Sequence, residues 1–190
     1  MALSVAGIKL EHREVLLRDK PPSMLEASPK GTVPVVVLPD GEVIEESLDV
    51  MRWALAQNDP ENWLAPGDAA FELIAEADGP FKHHLDRYKY SNRYDNVEAD
   101  EHREAGHAFL KALDSRLSGR AQLFGEAVSL ADIAIFPFVR QFANTDRDWF
   151  EALDLTNLQR WLAVHLASDL FSKIMVKHDV WADPETNVIS

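Results

Sequence analysis

The stretch from Lys30 to Leu38, KGTVPVVVL, has the apolar, β-branched composition of a buried strand but carries a proline near its start. Because proline has no backbone N–H, it is confined in sheets to strand starts, edges and bulges, and a cis bond before proline is usually a specific functional feature. Residues 39–41, PDG, follow as a turn, and residues 42–44 supply a second strand. The sequence therefore predicts a hairpin entered through a cis Val33–Pro34 bond.

The segments on either side of the hairpin mix short helices with strand-like sequence. A helix ends at Gly7, a strand-like segment covers residues 8–17, and a short helix covers residues 23–27. After the hairpin, Ser47 is placed to act as the N-cap of a helix whose apolar face includes Leu48, Met51 and Leu55. Residues 1–62 are therefore predicted to form an α/β domain.

From residue 67 onward the apolar periodicity is helical. A first long helix is predicted to kink at Gly79–Pro80, and a second covers residues 105–117. Ser129, followed three residues later by Asp132, has the sequence of a helix-capping box. Two further helices are predicted over residues 155–166 and 170–176. We therefore predict that residues 67–182 form an all-helical domain and that residues 183–190 form a loose tail.

Composition excludes several classes of function. The chain has 32 acidic and 19 basic residues and a net charge of −13, which argues against nucleic acid or an anionic membrane as its main partner. It contains no cysteine, so it has no disulfide, zinc–thiolate site or cysteine nucleophile of its own. Because no apolar run reaches membrane-span length and the start lacks signal-peptide features, we expect a cytoplasmic protein.

No ordinary catalytic or metal-binding signature stands out. The glycines form no phosphate-cradling pattern. His102 and His107 are five residues apart, and His83 and His84 are adjacent, so neither pair has the spacing of a metal site on one helix. We therefore expect solvated histidines and no metal. Ser129 with its neighbouring acid is better explained by capping than by hydrolase chemistry.

The residues around the hairpin and the following helix suit one kind of ligand. A strand entered through a cis proline leaves the N–H and C=O of Val33 free to pair with an extended, peptide-like ligand. Glu46 and Ser47 place a carboxylate and a hydroxyl at a helix N-terminus, where they suit an ammonium and a carboxylate respectively. Together these groups describe a site for an amino-acid-like head joined to a peptide backbone.

At these residues the chain resembles a glutathione S-transferase, nearest the bacterial omega-like branch. The stretches SPKGTVPVVVLPDG and IEESLDVMRWAL resemble the glutathione-binding half, and SLADIAIFPFVRQF resembles the helix-capping segment of the second domain. The resemblance covers nearly the whole chain. It implies a thioredoxin-like N-terminal domain followed by an all-helical C-terminal domain.

The resemblance also implies a role for each matching residue. Val33 pairs its main chain with the cysteinyl unit of glutathione, and Pro34 is the cis residue that exposes it. Glu46 and Ser47 hold the γ-glutamyl group, and Lys20 meets the glycine carboxylate.

The second domain is implied to supply the wall of the electrophile site, with candidates Phe81, His84 and Tyr88. The implied partners are glutathione, as co-substrate without a metal, and a small electrophile or disulfide. A homodimer is also implied.

The chain departs from the family pattern at its start. Family members begin with a central strand and a loop carrying a Cys, Ser or Tyr that favours the glutathione thiolate. The sequence begins near the end of the helix after that loop, so no catalytic residue is assigned. Two explanations are open: a truncated record, which we favour, or a genuine short protein with a repaired sheet. A second hypothesis is a noncatalytic binding or interaction protein on the same scaffold.

Overall fold

The computed structural model describes residues 1–182 and divides into two compact units. The first unit comprises Met1–Pro60 together with residues 173–182, and the second comprises Glu61–Ser172. The chain after residue 172 therefore differs from the expected division, in which it belonged to the helical domain. The Trp181 N–H donates to the Glu14 carbonyl at 2.8 Å, which ties this segment to the first unit. The predicted tail, residues 183–190, lies outside the described residues.

The first unit combines short helices with a two-stranded antiparallel sheet. Its elements in chain order are α1 (Ala2–Val5), α2 (Pro22–Ala27), β1 (Val36–Val37), β2 (Val43–Ile44) and α3 (Ser47–Gln57). Val36 pairs with Ile44 and Val37 with Val43, so the predicted hairpin is confirmed with shorter strands. Its turn contains Gly41 at a φ of +92°, a conformation that glycine adopts without steric cost.

The core of this unit lies between α1 and α3. Ala54 and Leu55 of α3 are buried, and so are Ala2 at the start of α1 and Ala6 directly after its end. Asn58, at the end of α3, donates through its side-chain amide to the Ala6 carbonyl at 3.2 Å.

The prediction of a strand over residues 8–17 is wrong. Within the described residues this segment makes only isolated bridges, one between Glu14 and Val180 and one between Leu16 and Asp19. A strand is stabilised by a ladder of hydrogen bonds to a neighbour, and the two-stranded sheet does not extend to this segment. The apolar composition therefore indicated an extended segment without identifying a partner for it.

The assignment of Ser47 as the N-cap of α3 is also wrong. Glu46 occupies the cap position with extended backbone angles, and no side chain makes a capping hydrogen bond there. Ser47 is the first helical residue and is exposed. Its hydroxyl is consequently not engaged in capping this helix.

The second unit consists of helices joined by turns. In chain order these are α4 (Asp68–Glu76), a π turn (Ala77–Phe81), α5 (Lys82–Lys89), a 3₁₀ turn (Ser91–Arg93), α6 (Ala99–Arg116), α7 (Leu130–Ala143), α8 (Arg147–Glu151) and α9 (Thr156–Leu166). The chain then continues into α10 (Asp169–Ile174). No helix in the described part of the chain has the length and apolar character to cross a membrane.

The predicted kink at Gly79–Pro80 is a π turn. Pro80 lies inside it and lacks the N–H needed for a regular helical hydrogen bond, so the local backbone departs from α geometry. The short helix α8 was not predicted. Asp146 caps it by accepting a hydrogen bond from the Trp149 N–H at 3.0 Å, and its five residues are too few to show a helical period.

A fully buried aspartate holds three segments of this unit together. Ser129 and Asp132 form a capping box at the start of α7, as predicted. The Asp132 carboxylate accepts hydrogen bonds from the Ser129 N–H at 2.9 Å and the Ser129 hydroxyl at 2.6 Å. It also accepts from the Leu123 N–H and from the Trp161 indole N–H, each at 2.9 Å. Both Ser129 and Asp132 are therefore structural residues.

His165, in the last turn of α9, is buried next to this network. Its Nε2 lies 2.9 Å from Gln122 Oε1, and its ring contacts those of Phe136 and Trp161. Burial lowers the pKa of His165, and the negative charge of Asp132 opposes this shift to a smaller extent. The folded protein therefore holds this imidazole in its neutral form.

We expect the protein to lose stability as the pH falls below about 6.5, the ordinary pKa of histidine. The unfolded chain binds a proton at that pH, whereas the folded chain binds it at His165 only at lower pH. This contribution is present above the unfolded pKa and is lost as the pH falls toward the folded one. Urea unfolding of the wild type and of His165→Gln at pH 8 and pH 5 measures it. An equal decrease in the free energy of unfolding from pH 8 to pH 5 in both proteins would show that His165 has no part in the effect.

Candidate functional site

The backbone around Val33 is accessible in the first unit. The Val33–Pro34 peptide bond is cis, and residue Val33 is 51% exposed. Within residues 1–182, neither the N–H nor the C=O of Val33 pairs with another backbone group. The pairing of β1 with β2 begins three residues later, at Val36. Both backbone polar groups of Val33 are thus without a backbone partner in the part of the chain that the structure describes.

Two lysines lie beside the loop that leads to Val33. Gly31 has a φ of +61°, and a methyl group built on it would lie 3.3 Å from Lys20 Cδ and 3.5 Å from Lys20 Nζ. The Lys20 side chain therefore lies directly against the loop. Lys30 extends from the same loop toward the start of α3, where its Nζ lies 3.3 Å from Glu46 Oε1 and 3.5 Å from Glu45 Oε2.

The start of α3 has a compact charge arrangement. The hydroxyl of buried Ser28 donates to Glu45 Oε1. This hydrogen bond, followed by the positive charge of Lys30, lowers the pKa of Glu45. Hydrogen bonding to Glu46 and the charge of Glu45 raise the pKa of Lys30. Two carboxylates, those of Glu45 and Glu46, thus lie around the ammonium group of Lys30.

Sequence reasoning singled out Glu46 but missed three other residues of the same charge arrangement. Ser28, Lys30 and Glu45 lie within the stretches already quoted for the resemblance, yet their contacts join positions 15 to 17 residues apart. Lys20 and Glu46 were predicted to belong to one site, and both lie at the loop that carries Lys30 and Gly31. Lys30 could have been selected from the sequence as a basic residue just before the proline-containing strand.

The three electrophile-site candidates lie in the second unit, along the π turn and α5. Phe81 is only 2% exposed and packs against Phe109 and Phe142, with ring centroids 4.7 Å and 5.4 Å away. Tyr88 is also buried, and burial raises the pKa of its hydroxyl. In this structure both rings contribute to the core rather than to an open wall. Their role toward an electrophile stays a prediction.

His84, the third candidate, is half-buried and contacts another histidine. Its Nδ1 lies 2.8 Å from Nδ1 of His102 on α6. Burial is the largest cause that lowers the pKa of each of these two histidines. His83 lies beside both rings, so three histidines come together that the spacing within either helix did not indicate.

Sequence profiles identify the two parts of the chain. Residues 1–63 match the glutathione S-transferase N-terminal domain, and residues 95–163 match the glutathione S-transferase C-terminal domain. The chain therefore belongs to the glutathione S-transferase family. Its first unit is the thioredoxin-like domain and its second is the all-helical domain, which confirms the predicted α/β plus all-α fold class.

The curated relatives are plant proteins of moderate similarity. The probable glutathione S-transferase MSR-1 of Nicotiana plumbaginifolia is 27% identical over 152 residues, which cover 75% of this chain and 66% of that protein. Glutathione S-transferase U19 of Arabidopsis thaliana is 27% identical over 155 residues, which cover 76% and 69% respectively. The chain thus spans about two thirds of the length of the curated relatives it matches.

Solved bacterial structures share the fold at lower identity. A glutathione transferase family member from Pseudomonas fluorescens, with two glutathione bound, superposes with a TM-score of 0.76 at 18% identity, covering 90% of this chain and 84% of that one. A glutathione transferase from Pseudomonas putida, with one glutathione disulfide bound per subunit, has the same TM-score at 20% identity, covering 90% and 82%. These ligands are those of the bacterial proteins.

Proposed function

We propose that this chain binds glutathione through its first unit. The observation that carries the proposal is the charge arrangement at the start of α3, where Glu45 and Glu46 face a single ammonium, that of Lys30. Glutathione has an α-ammonium, two carboxylates and a peptide backbone, and the loop beside this arrangement supplies a complement for each. Family membership and the glutathione-bound bacterial structures support the same ligand.

Each recognition group has a defined task in this proposal. Glu46 receives the ammonium of the γ-glutamyl unit, and the exposed Ser47 hydroxyl binds its carboxylate together with N–H groups at the start of α3. The N–H and C=O of Val33, next to Pro34, pair with the cysteinyl unit. Lys20 binds the glycine carboxylate, the remaining negative charge of the ligand.

The proposed reaction is transfer of glutathione to an electrophile, or thiol exchange with a disulfide. In either case a glutathione thiol, with an ordinary pKa of about 8.5, has to react as its thiolate. We assign no described residue as the group that stabilises this thiolate. The second candidate function is a noncatalytic glutathione-binding or interaction module, which the lack of any cysteine in the 190 residues favours.

Binding and turnover separate these candidates. Calorimetric titration with glutathione tests the site itself, and a conjugation assay with chlorodinitrobenzene tests transfer. Glutathione binding without conjugation or disulfide exchange would favour the noncatalytic module. Absence of glutathione binding at millimolar concentration would contradict both candidates.

We expect Glu46→Gln to weaken glutathione binding by about tenfold, because a hydrogen bond between charged groups contributes roughly 1.5 kcal/mol or more. The substitution keeps the size of the side chain but removes the charge that faces the ligand ammonium. Titration calorimetry with glutathione measures the change.

Glu42→Gln is the matched control, since it removes one exposed carboxylate from the neighbouring hairpin without touching the proposed contacts. We expect its affinity for glutathione to stay close to that of the wild type. Equal losses in the two variants would point to the overall charge of the protein and against a specific role for Glu46.

The wider assignments are part of the same proposal. We place the chain nearest the bacterial omega-like branch, as a cytoplasmic homodimer that takes a small electrophile or disulfide as second substrate. The resemblance of the quoted stretches supports this placement. Sedimentation equilibrium measures the oligomeric state, and a monomer at micromolar concentration would contradict the homodimer.

A further inference from the structure

Three histidines from two helices of the second unit converge on one point of its surface. His83 and His84 lie on α5, His102 lies on α6, and one ring nitrogen from each lies within 4.8 Å of the others. The ring centroids are separated by 5.1 Å to 5.8 Å. His83 is exposed and the other two are half-buried, so the cluster is open to solvent on one side.

The spacing of the ring nitrogens is close to that of ligands around one metal ion. Zinc binds imidazole nitrogen at about 2.0 to 2.1 Å in tetrahedral geometry, which separates two ligand nitrogens by roughly 3.4 Å. His84 Nδ1 and His102 Nδ1 are 2.8 Å apart, so these two atoms have to separate by about half an ångström. The ligand atoms of the cluster are up to 4.8 Å apart, so the His83 nitrogen has to move closer by as much as about 1.4 Å. Both movements require rotations about the side-chain bonds of the histidines.

The protonation state of the cluster suits a metal. At 2.8 Å, one of the two facing Nδ1 atoms presents a lone pair and the other donates its N–H. The donor ring binds a metal through this atom once its proton has moved to Nε2. Neutral imidazole is the form that binds metal ions.

One cation opposes metal binding at this position. The Arg87 guanidinium lies against His83, with Nη1 3.0 Å from His83 Nδ1, and also covers the ring of Tyr94. A metal ion bound by His83 through this nitrogen has to displace the Arg87 contact. It would also be repelled by the positive charge of the Arg87 guanidinium. Arg87 is therefore expected to weaken the site.

We propose that His83, His84 and His102 form a binding site for a divalent transition metal ion such as zinc. Three imidazoles with a free fourth position fit the tetrahedral preference of zinc, and imidazole also suits copper and nickel ions. The ion cross-links α5 to α6. The proposal does not depend on glutathione binding, because all of its ligands lie in the second unit.

Calorimetric titration of the metal-free, tag-free full chain with zinc chloride tests this proposal. We expect the wild type to bind a single zinc ion per chain at this site and its melting temperature to rise with zinc concentration. His84→Gln and His102→Gln should each weaken binding by at least about 100-fold, since even the loss of an outer-shell partner costs 10- to 100-fold. Both variants should also lose the zinc-dependent rise in melting temperature.

Two further variants distinguish a specific zinc site from nonspecific binding of zinc by surface histidines. His107→Gln removes a partly exposed histidine from the same helix, α6, and should leave zinc affinity unchanged. Arg87→Gln removes the opposing cation and should strengthen zinc binding severalfold. Unchanged affinity in both His84→Gln and His102→Gln would overturn the proposal and direct attention to the other close histidine pair, His12 and His178.

Discussion

Replacing Asp132 with alanine is expected to destabilise the protein by about 3 to 5 kcal/mol, the range for removing one partner from a buried charged network. The carboxylate is fully buried and accepts four hydrogen bonds, from the backbone of Leu123, both groups of Ser129 and the indole of Trp161. Alanine leaves these donors without an acceptor in a place that water does not reach. Each unsatisfied buried donor costs roughly 1 to 3 kcal/mol, and partial relaxation keeps the total below their sum.

Chemical denaturation followed by tryptophan fluorescence and circular dichroism measures this loss. The matched control is Asp146→Ala, which removes a single exposed capping bond to Trp149 and should cost about 0.5 to 2 kcal/mol. Similar losses in the two variants would mean that the buried network adds nothing beyond ordinary capping. The loss of stability in Asp132→Asn should lie between those of Asp132→Ala and Asp146→Ala. Asparagine keeps one acceptor oxygen, but its amide N–H group faces donors that the second carboxylate oxygen had accepted from.

The second large effect is expected from Gly106→Ala, at the contact between α6 and α7. A methyl group on Gly106 would lie 2.4 Å from Phe142 Cε2, which is shorter than any stable carbon–carbon contact. Phe142 cannot withdraw freely, because it is 1% exposed and packs against Tyr88 and Phe81. Overpacking of this kind costs about 1 to 3 kcal/mol. Replacing glycine with alanine inside a helix stabilises the helix by about 1 kcal/mol at most, because alanine has the higher helix propensity. The net effect is therefore destabilising.

A double-mutant cycle with Phe142→Leu isolates this clash. The leucine substitution creates space at Phe142 and is destabilising alone, but the double variant should be more stable than the sum of the single effects predicts. We expect a coupling of about 0.5 to 3 kcal/mol, the range for residues in contact. Additive effects would show that the helices separate to accept the methyl group and that Gly106 does not set their distance.

Sequence reasoning succeeded where a structural feature depends on neighbouring residues. The turn at residues 39–41 and the capping box of Ser129 and Asp132 each involve a few adjacent positions, and both are present. It failed for residues 8–17, because a strand depends on a partner that its own sequence does not specify. The helix after the hairpin was predicted with its cap one residue late, at Ser47 instead of Glu46.

The candidate sites show the same limit. Glu46 and Val33 could be selected because their residue types match a known pattern, whereas the contacts of Glu45 and Lys30 depend on how the loop folds back toward α3. The meeting of His84 with His102 depends on how two helices pack, and their positions 18 residues apart contain no period that predicts it. Contacts between elements therefore required the structure.

The π turn at Ala77–Phe81 determines which way α5 faces. Such a turn contains one residue more than an α-helical path, and one residue corresponds to about 100° of rotation around a helix axis. The turn therefore changes the angle, around the helix axis, between side chains before it, such as Leu73, and side chains after it, such as His84. An uninterrupted α-helix would place them differently. The extra residue thus rotates the side chains of α5 relative to those of α4. As a result, the histidines of α5 are directed toward α6, while the apolar face of α4 still packs on the core.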